Sequence, residues 1–155
     1  MEPARAATGA DVERLVELAH ALRAELREMR GGPLWEIRDA RVQPDAAAFA
    51  ALLARADATV VVGTIDGVIV GYGTMEIEVL ADSSRLAVIG DLFVEPEARA
   101  VAVGETIATA LVDHARAAGC AGIDAVALPG HRQAKNFFER NGFTARALVM
   151  YKPLT

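Results

Sequence analysis

The chain is poor in the residues that staple or metallate small proteins. It has one cysteine, Cys120, and three scattered histidines in 155 residues. A single cysteine excludes an internal disulfide, and this supply of ligands makes no Cys/His metal cluster, so no metal is expected. Cys120 follows a helical stretch with no histidine near it in sequence, and reads as a small apolar filler rather than a nucleophile. No uninterrupted apolar run approaches the roughly 18 residues of a membrane span. No basic segment followed by an apolar run opens the chain, so no signal peptide is expected and a cytoplasmic setting fits. There is no repeat, no low-complexity tract and no linker long enough to divide domains. Residues 1–155 are expected to form one domain, long enough to bury a core without a staple.

An excess of positive charge is also missing. The net charge is −5, with 16 basic and 21 acidic side chains, which argues against a nucleic-acid partner. The charge is unevenly spread. Residues 58–98 carry Arg85 alone against Asp66, Glu76, Glu78, Asp82, Asp91, Glu95 and Glu97. Residues 99–155 carry Arg99, Arg116, Arg132, Lys135, Arg140, Arg146 and Lys152 against four acids. Two solvated faces would account for this. So would a cationic acceptor meeting the middle of the chain and an anionic ligand meeting its end.

Apolar periodicity orders the elements. Residues 3–7 suit a short strand. Thr8 or Asp11 can cap a helix with Leu15, Leu18, Leu22 and Leu26 on one face, running to about Met29. Gly31-Gly32-Pro33 breaks the chain, and Trp35 follows in a connection that covers a cleft or fills the core. Pro44 and Asp45 open an alanine-rich helix to about Arg55. Thr59–Ile65 and Val68–Leu80 read as strands joined at Asp66-Gly67, a hairpin signal. Alternation in the second strand puts Ile69, Gly71, Gly73, Met75, Ile77 and Val79 on one face. Tyr72, Thr74, Glu76 and Glu78 take the other. Arg85–Val94 is a further strand, ended by Glu95-Pro96. A helix over about 102–118, a strand over 123–128, a helix to about Asn141 and a last strand over 145–154 complete the order. Strands joined through helices can lie parallel. The fold class is therefore α/β (α+β mixed), a mixed sheet flanked by helices.

The segment Asp91-Leu92-Phe93-Val94-Glu95-Pro96-Glu97-Ala98-Arg99-Ala100-Val101-Ala102-Val103-Gly104 carries the chemistry. A strand stops, a proline turns the chain, and a helix begins behind small residues. Unpaired N–H groups at a helix N-terminus bind phosphate, and Arg99 adds a permanent charge.

Three blocks of this sequence resemble the GCN5-related N-acetyltransferase (GNAT) superfamily. The first is Asp-Leu-Phe-Val-Glu-Pro-Glu-Ala-Arg, the family's strand-and-turn signature. The second, Arg99 to Gly104, is similar to its pyrophosphate loop, Arg/Gln-x-x-Gly-x-Gly/Ala. The third, Ala134-Lys-Asn-Phe137-Phe138-Glu-Arg-Asn-Gly142-Phe143, resembles its Ala-x-x-Phe-Tyr-x-x-x-Gly-Phe helix end. The resemblance covers the whole chain. It implies a mostly antiparallel sheet of six to seven strands, about four helices, and a splay between the fourth and fifth strands. It also implies acetyl-CoA as cosubstrate, with transfer of the acetyl group to a primary amine of a small molecule or protein. Pantetheine would lie along Leu92, Phe93 and Val94, and the diphosphate on Arg99, Ala100, Val101, Ala102, Val103 and Gly104, with Glu105 at the edge. His131, Phe137 and Phe138 would complete the cofactor site. Pairing through exposed strand edges is frequent in that family, so a homodimer is an expected arrangement.

Three positions depart from the family pattern. Ala100 and Ala102 stand where glycine is usual, which matters if the loop needs positive φ. His131 stands where an asparagine often touches the cofactor. Phe138 stands where many members have a tyrosine that protonates the leaving thiolate. An alkyl amine is only about 0.1% neutral near pH 7.4, whereas a thiol has a pKa near 8.5 and leaves tolerably without a donor. Base assistance is thus the larger need, with Asp91, Glu76 and Glu78 as candidates. Tyr72 or Tyr151 could replace the missing acid, and a backbone N–H near Phe93 or Val94 could hold the oxyanion. Walls for the acceptor would come from the 30–44 connection and the 80–85 turn. The alternative is a non-catalytic acyl-CoA-binding sensor or regulatory module. A binder of another phosphorylated ligand is a third reading.

Overall fold

A computed structural model describes residues 2–41, 43 and 45–155. The strands are β1 (Arg5–Ala6), β2 (Ala58–Ile65), β3 (Val68–Val79), β4 (Arg85–Val94) and β5 (Gly122–Ala125). The α-helices are α1 (Val12–Arg27), α2 (Gly32–Arg38), α3 (Asp45–Leu53), α4 (Val103–Ala117) and α5 (Arg132–Arg140). The strands form one sheet in chain order, antiparallel from β1 to β4 and parallel between β4 and β5. Among the described residues the sheet thus has five strands where six to seven were expected. Gly31-Gly32-Pro33, read as a plain break, instead starts α2, because Gly31 adopts φ 82° and the proline sits at the helix N-terminus where its missing N–H is harmless. Asp45 begins α3 as expected, while Pro44 lies outside the described residues.

Each face of the sheet has its own core. On one face, Leu15, Leu18, Leu22 and Leu26 of α1 pack with Phe49, Val60, Val62, Tyr72 and Phe93. On the other, Val103, Ile107 and Leu111 of α4 pack with Val61, Met75, Ala87, Ile89 and Val94. Asp66 and Gly67, at φ 50° and 77°, close the β2–β3 hairpin with the left-handed pair that its Asp-Gly sequence favours. Gly71 and Gly73 let α4 sit directly on the sheet. A Cβ at Gly73 would lie 2.7 Å from Ile107 Cγ2 and 2.9 Å from Leu111 Cδ1.

Two bulges break the alternation read from the sequence. The β2–β3 register shifts beside Gly63 and Thr64, which moves Ile69 to the α1 core, away from Met75. The β3–β4 register shifts between Gly73 and Met75, so Gly90 and Asp91 together face Thr74. Ahead of this bulge Ala87 and Ile89 face α4; past it Phe93 faces α1. The extra residue re-aims the side chains that follow. A Cβ at Gly90 would come within 2.9 Å of Thr74 Oγ1, the atom that accepts the Asp91 N–H at 2.9 Å.

The expected last strand is absent. Residues 145–154 form no strand, and Leu148, Val149, Met150 and Leu154 are all more than 80% exposed. Strand propensity alone does not hold an edge without a neighbour to pair with.

Replacing Gly73 with alanine is expected to lower stability by about 1–3 kcal/mol, because the added methyl must push α4 off the sheet. Thermal unfolding followed by circular dichroism should show a fall of roughly 2–10 °C. An unchanged midpoint would mean that the helix is not seated on this glycine.

Candidate active site

β5 stops at Ala125, paired to Ile89, while β4 runs on to Val94. The two strands therefore part, and two cavities lie in the opening. The first, about 130 Å³, is lined by Leu92, Phe93 and Val94 of β4, by Arg99, Val101, Ala102, Gly104 and Glu105 at the start of α4, and by His131, Phe137 and Phe138. The second, about 60 Å³, is lined by Gly90, Asp91 and Leu92, by Leu22, Leu26 and Trp35 of the first helices, and by Val126 and Leu128. Leu92, His131, Ala134 and Phe138 line both, so they form a throat between the two. Trp35 also packs against the α1 core, so it fills the core and walls the cleft together. No residue of the 80–85 turn lines either cavity.

The start of α4 presents backbone N–H groups that the fold leaves unpaired. Val101 N–H donates to Ala98 O, Val103 N–H to Val101 O and Thr106 N–H to Ala102 O. Among the described residues, the amides of Ala100, Ala102, Gly104 and Glu105 donate to no backbone oxygen. Four free donors at a helix N-terminus concentrate positive potential. The alanines at 100 and 102 are unstrained there. Ala102 has φ −73°, and among the described non-glycine residues only Asp66 and Ser83 have positive φ. The loop adopts its shape without glycine's freedom. Gly104 is needed for space, since a Cβ would approach Phe137 to 3.1 Å. Val103, expected to offer its amide to the ligand, instead donates its N–H to Val101 O at 2.7 Å, and its fully buried side chain begins the apolar stripe of α4.

Arg99 is held rather than free. Its Nε donates to Val94 O at 2.7 Å, Nη1 to Gln133 Oε1 at 3.0 Å, and Nη2 pairs with Glu25 at 2.9 Å. Its guanidinium also lies 5.4 Å from the Phe93 ring centroid. Arg99 thus ties the loop to the end of β4, to α1 and to α5. Glu25 carried no signal in the sequence. It lies one turn from the core leucines of α1, and only the packing of α1 across the splayed sheet brings it into the groove. It also stands 3.7 Å from His131 Nε2. Burial pushes the His131 imidazole below its ordinary value; Glu25 opposes this and Arg99 adds to it.

Asp91 occupies the other end. It is buried, its Oδ2 accepts the Tyr72 hydroxyl at 2.8 Å, and it pairs with Arg41. Oδ1 has no hydrogen-bond partner among the described residues. Burial, then Asp91, keeps the Tyr72 phenol protonated well above its ordinary range. Glu76 and Glu78, the other candidate bases, are exposed on β3 and line neither cavity; Glu76 pairs with Arg55. Tyr151 is 66% exposed in the C-terminal segment and also lies outside both cavities. Phe138 stacks edge-on with Phe137 and Phe143, at centroid distances of 5.4 and 5.2 Å. Cys120 packs against the α4 core, as a filler should.

The gap in this mixed sheet thus has unpaired helix-terminal amides at one end and a buried carboxylate at the other. The sequence matches the model of the acetyltransferase (GNAT) family over residues 17–143, and the chain belongs to that family. No curated protein matches it in sequence. Its fold is similar to that of a mutant of a Bacillus halodurans protein, with TM-score 0.85, 20% identity, and 99% of this chain and 100% of that one covered. It is similar to glucosamine-6-phosphate N-acetyltransferase from Arabidopsis thaliana, with TM-score 0.71, 19% identity, and 98% and 97% covered. An aminoglycoside acetyltransferase from an uncultured soil metagenomic sample, in complex with sisomicin, gives TM-score 0.72, 20% identity, and 98% and 94% covered.

The His131 ring should report on the groove. In the free protein its NMR titration is expected below the ordinary value of about 6.5. Its contribution to folding stability is then present above that pH and declines as pH falls below it. An anion on the α4 amides favours the imidazolium, so added inorganic pyrophosphate should raise the midpoint, and affinity should weaken as pH rises through that raised value. A midpoint that ignores pyrophosphate would place the anion elsewhere.

Proposed function

We infer that this acetyltransferase-family chain transfers an acetyl group from acetyl-CoA to a primary amine by direct attack on the thioester. The observation that carries the reading is the set of free amides at Ala102, Gly104 and Glu105, residues that line the same gap as Leu92, Phe93 and Val94. A diphosphate bound there aims the pantetheine arm along β4 toward the throat at His131 and Phe138. Val94 O is already occupied by Arg99, so the arm's contacts fall on the remaining backbone groups of Leu92 and Phe93. The gap supplies the cofactor's binding and direction; the thioester itself supplies the activated acyl group.

The acceptor enters from the second cavity. Its apolar walls, Leu22, Leu26, Trp35 and Leu128, surround a single carboxylate, Asp91. Asp91 Oδ1 is the group placed to take a proton from the acceptor's ammonium, directly or through water, which frees the neutral amine to attack, while Arg41 and Tyr72 hold Oδ2. A positioned base contributes about 10²–10⁴-fold. Glu76 and Glu78 stand too far out on the sheet to compete for this part. A cationic acceptor agrees with the acidic middle of the chain. One of the fold's neighbours is named for acetylating the amine of glucosamine 6-phosphate, and another for aminoglycosides. Phe138 cannot protonate the thiolate, and the Tyr72 hydroxyl is turned to Asp91. Departure of the thiol as its anion, with protonation from water, meets this need.

Phe138 also supports a second reading, a non-catalytic acyl-CoA sensor. One assay separates the two. Acetyl-CoA is incubated with a panel of primary amines while free thiol is monitored. Release of thiol that depends on the amine supports the enzyme, and tight CoA binding without turnover on any amine supports the sensor.

Two substitutions test the parts. Arg99→Glu puts a second negative charge beside Glu25 in the groove, and CoA affinity by calorimetry should fall at least tenfold. Asp91→Asn should lower kcat/KM for the amine by about 10²–10⁴ while leaving CoA affinity within a factor of a few. Wild-type rates in Asp91→Asn would remove this carboxylate from the chemistry.

A further inference from the structure

The second cavity is small, and its walls are almost all of one kind. Its volume of about 60 Å³ is room for about four to six water-sized atoms, at roughly 10–15 Å³ each. Leu22, Leu26, Trp35, Leu128 and Phe138 wall it, and Asp91 and His131 are the titratable residues among those that line it. Leu22 and Leu26 are buried, so the α1 side of the cavity is shut off from solvent. Asp91 is buried too. Its Oδ2 is shared between Arg41 and Tyr72, and its Oδ1 has no hydrogen-bond partner among the described residues. One buried acceptor is therefore left for one donor group of a ligand.

Charge around this oxygen limits what the donor can belong to. Arg41 already offsets Asp91, and Arg23 is paired with the buried Asp45. The acids that make the middle of the chain negative face elsewhere. Glu76 pairs with Arg55, Glu95 with Arg14, and Glu78 is exposed outside both cavities. Glu25 lines the first cavity and not the second. A ligand with a second ammonium group would carry it in among leucines with no counter-charge and no acceptor, which costs its hydration without return. A hydrocarbon tail gains from the same walls.

We propose that the acceptor is a small apolar monoamine, an alkylamine of about six heavy atoms, and that this cavity selects it against polyamines and amino sugars. The ammonium meets Asp91 Oδ1, and the alkyl tail lies against Leu22, Leu26 and Trp35. The assignment rests on the acetyl-transfer reading and narrows it. It separates this chain from two of its structural neighbours, which are named for glucosamine 6-phosphate and for aminoglycosides. Hydroxyl-rich acceptors of that kind would leave their polar groups unpaired on these walls.

The test compares pentylamine with putrescine on the full chain. The two amines have equal numbers of heavy atoms and differ by a methyl group against an ammonium. Thiol release from acetyl-CoA gives kcat/KM for each, and calorimetry on the CoA-saturated protein gives each affinity without turnover. Both should favour pentylamine by about tenfold or more. From ethylamine to pentylamine, kcat/KM should climb about fourfold per methylene and level off beyond, once the cavity is full. Val126 lines the cavity and is 72% exposed, so Val126→Glu adds a carboxylate there without disturbing the core. It should narrow the preference by about twofold to fivefold, through better use of putrescine. The proposal is overturned if putrescine or glucosamine binds as well as pentylamine, if pentylamine does not bind, if chain length has no effect, or if Val126→Glu keeps the wild-type ratio. Turnover of putrescine or glucosamine at the pentylamine rate sinks this assignment and leaves acetyl transfer standing. Selective binding of pentylamine with no thiol released from any amine sinks acetyl transfer and leaves the cavity's selectivity standing.

Discussion

β4 and β5 run side by side as far as Ile89 and Ala125 and then separate, and the site depends on that separation. A sheet that stayed zipped would leave no room for a ligand, and the backbone of Leu92 to Val94 would be spent on strand pairing. The parting has a local cause. Gly90 and Asp91 occupy the place of one residue opposite Thr74, and the extra residue turns the rest of β4. The same bulge swings Asp91 off the α4 face and onto the α1 face, where Tyr72 and Arg41 receive it. One irregularity thus opens the groove and sets a carboxylate at its inner end.

Electrostatics divide the groove into two ends. At the outer end, free amides and the dipole of α4 offer positive potential without any mobile side chain. Arg99 reinforces it but spends its own donors on Val94, Gln133 and Glu25, so it acts by fixing the loop and by charge rather than by a free fork. At the inner end, apolar walls around Asp91 raise the value of every charge placed there. His131 sits between them, its imidazole pushed below its ordinary value by burial, with Glu25 within reach.

Much of this was legible in the sequence. Leucines at helical spacing marked α1, Asp-Gly marked the hairpin, and Glu95-Pro96 ahead of small residues marked the entry to α4. These are local signals, governed by neighbours a few positions away. The small-residue turn ahead of α4 was legible for the same reason, since a helix entry of this kind is marked by residues close in sequence. Glu25 was invisible because a glutamate on an amphipathic helix looks like any solvated residue until another element crosses it. Glu76 and Glu78 looked equal to Asp91 because alternation treats a strand as regular, and bulges break that regularity. Residues 145–154 carry strand composition, but a strand exists only when an edge lies beside it.

The sequence by itself determined the family, the order of elements, the helix terminus and its small residues, because each rests on short-range sterics and spacing. The tertiary structure alone decided which acids face the gap, that Arg99 is clamped, that Val103 is buried and that the C-terminal segment stands unpaired. Those outcomes depend on strand register and on contacts between residues far apart in the chain, and one inserted residue is enough to reverse the face a side chain presents.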